Sequence, residues 1–300
     1  MPRKFIFLVN PISGTRSKQS LPELINAAAK EHKTYTVILP TVASGNYQFV
    51  KQRIQEEGFT DVVICGGDGS VNQVIEALKE TAVNFGIVPM GSGNGLALSA
   101  KIPKALTKAV TLAFTGAPHL TDAFYINNSF SCMLCGIGFD AKVAHDFAQQ
   151  KKRGLATYTK QSIKNFFTAR PYNFLLQWGE HELQTAAYFI SVANSNQFGN
   201  NVTIAPKASL SDGLLDIVVV QRMLKAQLPL ALLQQLTTGT PMATSKALKK
   251  SGVLYFQTDA LTIKNIDTAP LHVDGEPRET EKKFTIKIIP ACFKLIQPAV

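Results

Sequence analysis

The sequence predicts an α/β domain with a parallel sheet, followed by a mainly antiparallel β-sandwich domain, and three observations carry that expectation. Through residue 120, near-continuous apolar strand-like runs alternate with amphipathic helical ones, the pattern of a covered parallel sheet. Beyond residue 122 the rhythm changes to short strand-like runs with turns between them, broken by only two helical stretches. A length of 300 residues, at roughly 150 per domain, fits two domains. The expected division is 1–122 and 123–300, with the extreme C-terminus packing back on the first domain.

The elements follow in order. A strand over 4–10 stops at Asn10-Pro11 and enters a loop through Gly14 and Ser17. Ser20 and Glu23 have the form of a capping box and Pro22 suits a first helical turn, so 21–30 reads as helix. Residues 34–39, β-branched and apolar, are the second strand. Tyr47, Val50 and Ile54 recur at helical spacing until Gly58 ends that helix. DVVIC at 61–65 is a third strand, 71–78 a helix and FGIVP at 85–89 a fourth strand. In the second domain strands are expected over 124–126, 129–134, 174–178, 188–193, 214–220, 254–258, 261–264 and 284–289. Helices are expected over 141–168 and 226–237.

Composition excludes several classes. An apolar fraction of 45% is enough for a sizeable core, which rules out a disordered or collagen-like chain. Four cysteines do not make a disulfide framework in a chain this long. No apolar run approaches the roughly 20 residues that span a bilayer, and the run at 5–9 is too short for a signal peptide. The expectation is a soluble, cytoplasmic protein. Its five histidines (His32, His119, His145, His181 and His272) show no metal-ligand spacing, and no G-x-S-x-G elbow is present. Cys132 and Cys135 form a lone C-x-x-C inside an apolar strand, which fits buried thiols rather than a redox pair.

Lys and Arg number 31 against 21 Asp and Glu, and a net charge of +10 favours an anionic partner such as a nucleotide, nucleic acid or lipid headgroup. No nucleic-acid module or stacking-aromatic motif is present, so nucleic acid is not expected. Three glycine-bearing segments each follow a strand: Asn10-Pro11-Ile12-Ser13-Gly14, Gly66-Gly67-Asp68-Gly69-Ser70 and Gly91-Ser92-Gly93-Asn94-Gly95. Thr41 follows the remaining strand. Each alone could be a tight turn. Together, at the carboxyl ends of parallel strands, they form the place where backbone N–H groups and helix N-termini meet phosphate oxygens. The pattern is neither a P-loop nor a dinucleotide fingerprint.

Asp68 inside GGDGS would repel a phosphate unless Mg²⁺ bridges the two; the alternative is a turn aspartate bonding its own backbone. Asp274-Gly275 between apolar residues is a hairpin-turn signal, and the same carboxylate could accept a proton from an attacking hydroxyl. Glu276 lies two residues on. Ser211-Asp212-Gly213 is a turn that could hold a hard cation or simply bond itself.

NPISG at 10–14, GGDGSVNQV at 66–74 and GSGNGLA at 91–97, in this order and spacing, resemble the diacylglycerol kinase catalytic-domain family, which includes bacterial soluble lipid kinases, sphingosine kinases and ceramide kinases. The resemblance continues through GIGFDA at 136–141, APKASLSDGLLD at 205–216 and VDGE at 273–276, and so covers nearly the whole chain. It implies an N-terminal α/β domain, a C-terminal β-sandwich, and ATP with Mg²⁺ in the cleft between them. It further implies nucleotide contacts at Asn10, Pro11, Ser13, Gly14, Thr41, Gly66, Gly67, Asp68, Gly69, Ser70, Asn72, Gly91, Ser92, Gly93 and Asn94. Asp274 matches the family's general base, with Asp68 beside the catalytic Mg²⁺. Asp140 matches a position near the lipid hydroxyl. Asp212, with the carbonyls of Ser209 and Leu214, matches a structural Mg²⁺ site.

Bacterial diacylglycerol kinases commonly show G-T-x-N-D where this chain has Gly91-Ser92-Gly93-Asn94-Gly95, a form more like sphingosine kinases. The acceptor is therefore left open among diacylglycerol-, sphingosine- and phosphatidylglycerol-like lipids. An NAD kinase, whose family shares a GGDG loop, and a non-catalytic nucleotide- or lipid-binding protein are the alternatives. A lipid acceptor implies docking at a membrane surface. The acid-free stretch 147–179 offers Lys151, Lys152, Arg153, Lys160, Lys164 and Arg170 interleaved with Tyr158, Phe166, Phe167 and Tyr172. That composition suits either an interfacial helix on anionic headgroups or a helix whose aromatics face the core.

Overall fold

A computed structural model describes residues 2–12, 20–148, 169–196, 205–222 and 252–299. The chain divides into two compact units, Met1–Thr121 with Ala291–Val300, and Asp122–Pro290.

In the first unit, strands β1 (Lys4–Val9), β2 (Tyr35–Pro40), β3 (Asp61–Gly66) and β4 (Asn84–Pro89) alternate with helices α1 (Leu21–Glu31), α2 (Gln48–Glu57) and α3 (Asp68–Leu78). Two further helices, α4 (Gly95–Ser99) and α5 (Leu106–Thr115), precede β5 (Ala117–Ile126). The sheet order is β4-β3-β1-β2, all parallel. The last strand, β15 (Lys283–Gln297), brings Lys294 and Leu295 alongside Asn84 and Phe85 of β4, also parallel. The continuous apolar runs of β1 and β3 are buried on both faces, whereas β2 is an edge strand with a half-exposed Tyr35.

Local signals explain most boundaries. Pro22 occupies the first turn of α1, where its missing N–H costs nothing. Gly58 closes α2 in the left-handed conformation, φ 69°. The capping box expected at Ser20 and Glu23 does not form: Ser20 has a helical backbone and its side chain caps nothing. Helix α3 begins at Asp68, three residues before the apolar periodicity becomes visible, because Gly67 is extended and acts as N-cap. Helix α5 has no polar cap, its N-cap being Ala105, and the sequence reading missed it.

An ion pair ties the sheet's lower edge. Arg3 donates from Nε and Nη2 to both oxygens of fully buried Asp61, at 3.0 and 2.7 Å, and also reaches the carbonyls of Ala113 and Phe114 at the end of α5. Thr60 Oγ1 and Asn84 Nδ2 complete the donors around Asp61.

The second unit is an antiparallel β-sandwich. Strands β6 (Ser129–Ser131) and β7 (Leu134–Gly138) split the expected single strand over 129–134. Helix α6 (Phe139–Ala148) follows, then β8 (Tyr172–Trp178), β9 (His181–Ala193), β10 (Leu215–Gln221), β11 (Val253–Thr258), β12 (Ala260–Asn265), β13 (Leu271–Val273) and β14 (Glu276–Arg278). The remainder of the helix expected over 141–168, and the whole of that over 226–237, lie outside the described residues. The long strand β9 serves both sheets. Its first half pairs with β8, which continues to β12 and β15, and its second half lies between β7 and β10. Cys135, Ile137, Phe174, Leu176, Ile190, Val192, Ile217, Ile263 and Phe284 fill the core between the layers. Each aliphatic or Phe side chain among them contributes about 1.5–3 kcal/mol by burial.

Candidate functional site

In the first unit the chain runs from β1 to β2 on one side, then crosses to β3 on the other. The strand order thus reverses between β1 and β3, the position in an open parallel sheet where ligands meet the carboxyl ends of the strands. The residues leaving β1 and β3 are coupled there. Asn10 donates its backbone N–H to Cys65 O at 2.9 Å and its Nδ2 to Ser70 Oγ at 2.7 Å, while its Oδ1 accepts from Ile12 N at 2.8 Å. Thr41 N–H donates to Val9 O at 3.0 Å, which brings the β2 exit to the same edge.

The β4 exit completes the group. Met90 N donates to Gly66 O at 2.9 Å, and the backbones of Gly67 and Gly91 touch, so that a methyl at Gly91 would lie 2.6 Å from Gly67 Cα. Asn94, in the left-handed conformation with φ 56°, closes its turn by accepting from Gly91 N at 2.8 Å and donating to Gly91 O at 2.7 Å. Asp68 opens α3, and its Oδ2 lies beside Gly93, where a methyl would come within 2.7 Å of it. Gly69 and Ser70 stand on the first turn of α3, whose N–H groups lack intrahelical partners. Asn72 is buried one turn further on, and Ser92 is exposed on the β4 turn. Backbone donors and a helix N-terminus at a sheet switch point constitute an anion cradle. Pro11 is exposed next to it; Ser13 and Gly14 lie outside the described residues.

The second unit carries the remaining candidates. Asp274 and Gly275 form a two-residue turn between β13 and β14, with φ values of 50° and 82°, the left-handed pair of a type I′ hairpin. The Asp274 side chain is turned inward. Its Oδ1 accepts from Ser131 Oγ at 2.6 Å and from the N–H groups of Leu134 and Met133 at 3.0 and 3.3 Å, and its Oδ2 accepts from Cys132 N at 3.3 Å. Asp140, in the first turn of α6, is buried and accepts from Ala141 N at 2.8 Å. Glu276 is exposed on β14.

At the third location Asp212 is exposed and its Oδ1 accepts from Leu214 N at 3.1 Å, while Ser209 Oγ accepts from Ser211 N at 3.3 Å. Two carboxylates that the sequence reading did not single out flank this turn. Buried Asp122 accepts from Gly213 N at 2.8 Å. Buried Asp216 has its carboxyl pushed up to about 7, first by loss of hydration and further by the charge of Asp212, and its Oδ1 has no hydrogen bond. The donors are all oxygen, which suits a hard cation. Among the described residues no three His, Cys, Asp or Glu side chains converge as a metal cluster. An ion here or at Asp68 would therefore complete its shell with carbonyl, phosphate or water oxygens.

Ser131, Asp122 and His272 carried no usable signal in the sequence. Ser131 meets Asp274 across 143 residues of chain, and His272 looked like one of five unrelated histidines. Among the described residues no helix is long and apolar enough to cross a membrane.

Comparison with known proteins agrees with this arrangement. Residues 4–126 match the model of the diacylglycerol kinase catalytic domain, and residues 134–297 that of the YegS C-terminal NAD kinase beta sandwich-like domain. A probable lipid kinase YegS-like protein of Chromohalobacter salexigens is 25% identical over 93% of this chain and 89% of its own length. A diacylglycerol kinase of Staphylococcus carnosus is 22% identical over 92% of this chain and 89% of its own. A crystal structure of a putative diacylglycerol kinase from Bacillus anthracis shares the fold, with a TM-score of 0.78 over 98% of this chain and 96% of that one at 17% identity. With an α/β unit of parallel strands followed by an antiparallel sandwich, and family matches to both, the chain belongs to the diacylglycerol kinase catalytic-domain family of lipid kinases, which are phosphotransferases.

Proposed function

We propose that the protein is an ATP-dependent kinase that transfers the γ-phosphoryl group to the hydroxyl of a membrane lipid. The observation that carries this reading is the convergence of the three strand-exit turns, with Gly67 against Gly91 and the N-terminus of α3 beside them. Such a cradle suits a polyphosphate, because backbone N–H groups bind oxygens without a side chain in the way. Asp68 would be held against the phosphates through Mg²⁺, which when bound offsets the negative charge of the transferring group. Asp274 is the proposed base. Ionised, it is an acceptor-only group held rigidly by the Ser131 hydroxyl and the N–H groups of Cys132, Met133 and Leu134, which fixes where it can take a hydroxyl proton. Asp140 is proposed to face the lipid hydroxyl, and Asp212 with the carbonyls of Ser209 and Leu214 to hold a second, structural Mg²⁺. Most of the acceleration would come from positioning and electrostatics.

A lipid acceptor is presented at a membrane, and the basic, aromatic stretch 147–179 is the proposed contact with anionic headgroups. Residues 149–168 of it lie outside the described residues. The protein would act as a peripheral, cytoplasmic enzyme.

The test is transfer of label from γ-labelled ATP, with Mg²⁺, to vesicles containing diacylglycerol, sphingosine, ceramide or phosphatidylglycerol, and to NAD in solution. Labelled lipid is the expected result. Label in NAD alone would make the enzyme an NAD kinase. Nucleotide binding with no labelled product would make it a binding protein.

A further inference from the structure

His272 and Asp140 meet above a residue that has no side chain. The antiparallel register sets His272 of β13 opposite Gly136 of β7, and Gly136 opposite Ser191 of β9, so these positions form one row on one face of the sheet. A methyl on Gly136 would overlap both Asp140 Oδ2 and His272 Nε2. Only glycine at that position lets the carboxylate from α6 and the imidazole from β13 occupy the same space. The side chains are 9% and 2% exposed, and His272 Nε2 lies 3.5 Å from Asp140 Oδ2, a close approach short of a hydrogen bond, that oxygen having no hydrogen-bond partner.

The other ring nitrogen faces the turn that bears Asp274. His272 Nδ1 accepts from Gly275 N–H at 3.3 Å. An accepting nitrogen carries no proton, so the proton of the neutral ring sits on Nε2, toward Asp140. Asp274 itself has φ 50°, a left-handed value that an Asp-Gly turn adopts readily, so what its surroundings must hold is the direction of the carboxylate. The donors at Ser131–Leu134 hold its carboxylate from one side. His272 holds the following peptide from the other.

We propose that His272 is a positioning residue for phosphoryl transfer: it locks the Asp274-Gly275 turn through Nδ1 and couples that turn to Asp140 through Nε2, so that the two carboxylates are set as one unit. This deepens, and rests on, the lipid-kinase reading above. Nothing in it depends on a change of charge on the ring. Its content is geometric, and a displacement of about 1 Å at a catalytic group can cost roughly 10²-fold in rate.

Three substitutions separate the two arms. His272→Asn keeps an acceptor near the place of Nδ1, His272→Gln keeps a donor near the place of Nε2, and His272→Phe keeps bulk with neither. Each is assayed with labelled ATP and the lipid acceptor for kcat and KM, alongside nucleotide affinity and melting temperature. His272→Phe should lower kcat by roughly 10²-fold with nucleotide affinity within about twofold of wild type. Asn and Gln should each recover part of kcat, beyond any difference in melting temperature. A kcat for His272→Phe within about twofold of wild type overturns the proposal, as does loss of kcat that simply follows melting temperature across the three. The ¹⁵N spectrum of the wild-type imidazole supplies a readout independent of activity and of whether the Phe variant folds. An Nε2–H ring is expected, and an Nδ1–H ring overturns the turn lock. If the wild-type protein labels no lipid, the kinase reading falls, and the ring tautomer still decides whether His272 holds the turn.

Discussion

Gly67 and Gly91 touch backbone to backbone, the first at the start of α3 and the second in the turn after β4, so close that a side chain at Gly91 has no room and one at Gly67 would press on Gly91 Cα. Their contact joins two strand exits into the proposed phosphate cradle. Gly91→Ala would place its methyl 2.6 Å from Gly67 Cα and 3.0 Å from Asn94 Oδ1, and backbone cannot yield as a flexible side chain does. The turn must open. ATP affinity should fall by at least about tenfold, equal to about 1.4 kcal/mol, while the melting temperature drops by only a few degrees. Calorimetric titration with a non-hydrolysable ATP analogue checks this, and wild-type affinity would separate the cradle from the nucleotide.

Asp274→Asn should lower turnover by about 10²–10⁴-fold, as loss of a general base does. It should also destabilise the fold. The Ser131 hydroxyl and the N–H groups of Cys132, Met133 and Leu134 all donate to the carboxylate, and the Asn amide would turn an N–H₂ toward some of them. The cost is about 1–3 kcal/mol. Ser131→Ala removes one of those donors and should cost about 1 kcal/mol in stability with a much smaller loss of rate. Assaying both well below their melting temperatures separates the effects, and an Asp274→Asn enzyme within tenfold of wild type would remove the base.

With Mg²⁺ held at Asp212 as proposed, millimolar Mg²⁺ should raise the melting temperature of the wild-type protein, and Asp212→Ala should abolish that gain. A ligand at 100 times its dissociation constant stabilises by about 2.7 kcal/mol, enough to read by scanning calorimetry. Equal stabilisation of both proteins by Mg²⁺ would place no ion at Asp212.

Arg3→Met should destabilise the first unit by about 3 kcal/mol, because it leaves the buried Asp61 carboxylate without its bidentate partner. Adding Asp61→Asn should return part of that loss, since removing both charges costs less than stranding one. Chemical denaturation of the two variants and wild type makes the comparison. A double variant less stable than Arg3→Met would refute the stranded-charge account.

Burial pushes the Cys65 thiol far up. The same effect acts on Cys135, helped by the nearby charges of Asp274 and Asp140. The sign follows directly. A thiol raised in the folded state stays protonated there while the unfolded chain ionises, so stability falls as pH rises above the usual thiol range of about 8.5. At pH 8 native Cys65 and Cys135 should resist iodoacetamide while the partly exposed Cys292 reacts, and denaturant should release all of them. Mass spectrometry of the labelled peptides reads this, and native labelling of Cys65 at the rate of Cys292 would contradict it.

Much of the fold was written locally in the chain. Apolar runs such as 61–65, ended by Gly66-Gly67, read as buried strands, Gly58 as a helix end, and Asp274-Gly275 as a hairpin turn, because Asp and Gly both tolerate the positive φ such a turn requires. The glycine-bearing exits were legible for the same reason. Turn chemistry is set by near neighbours, and a parallel sheet aligns its carboxyl ends without further instruction. Ser20 and Glu23 had the form of a capping box yet made none, because a cap depends on the local backbone path and Ser20 is helical. What tertiary structure alone decided are meetings across long stretches of chain. Ser131 reaches Asp274 over 143 residues and Arg3 reaches Asp61 over 58, while His272 and Asp140 come together only because antiparallel pairing sets Gly136 beneath them. No periodicity or spacing encodes such pairs. They arise when strand register, chosen by the burial of whole faces, brings distant polar groups to one point where each must find a partner or stay unpaired.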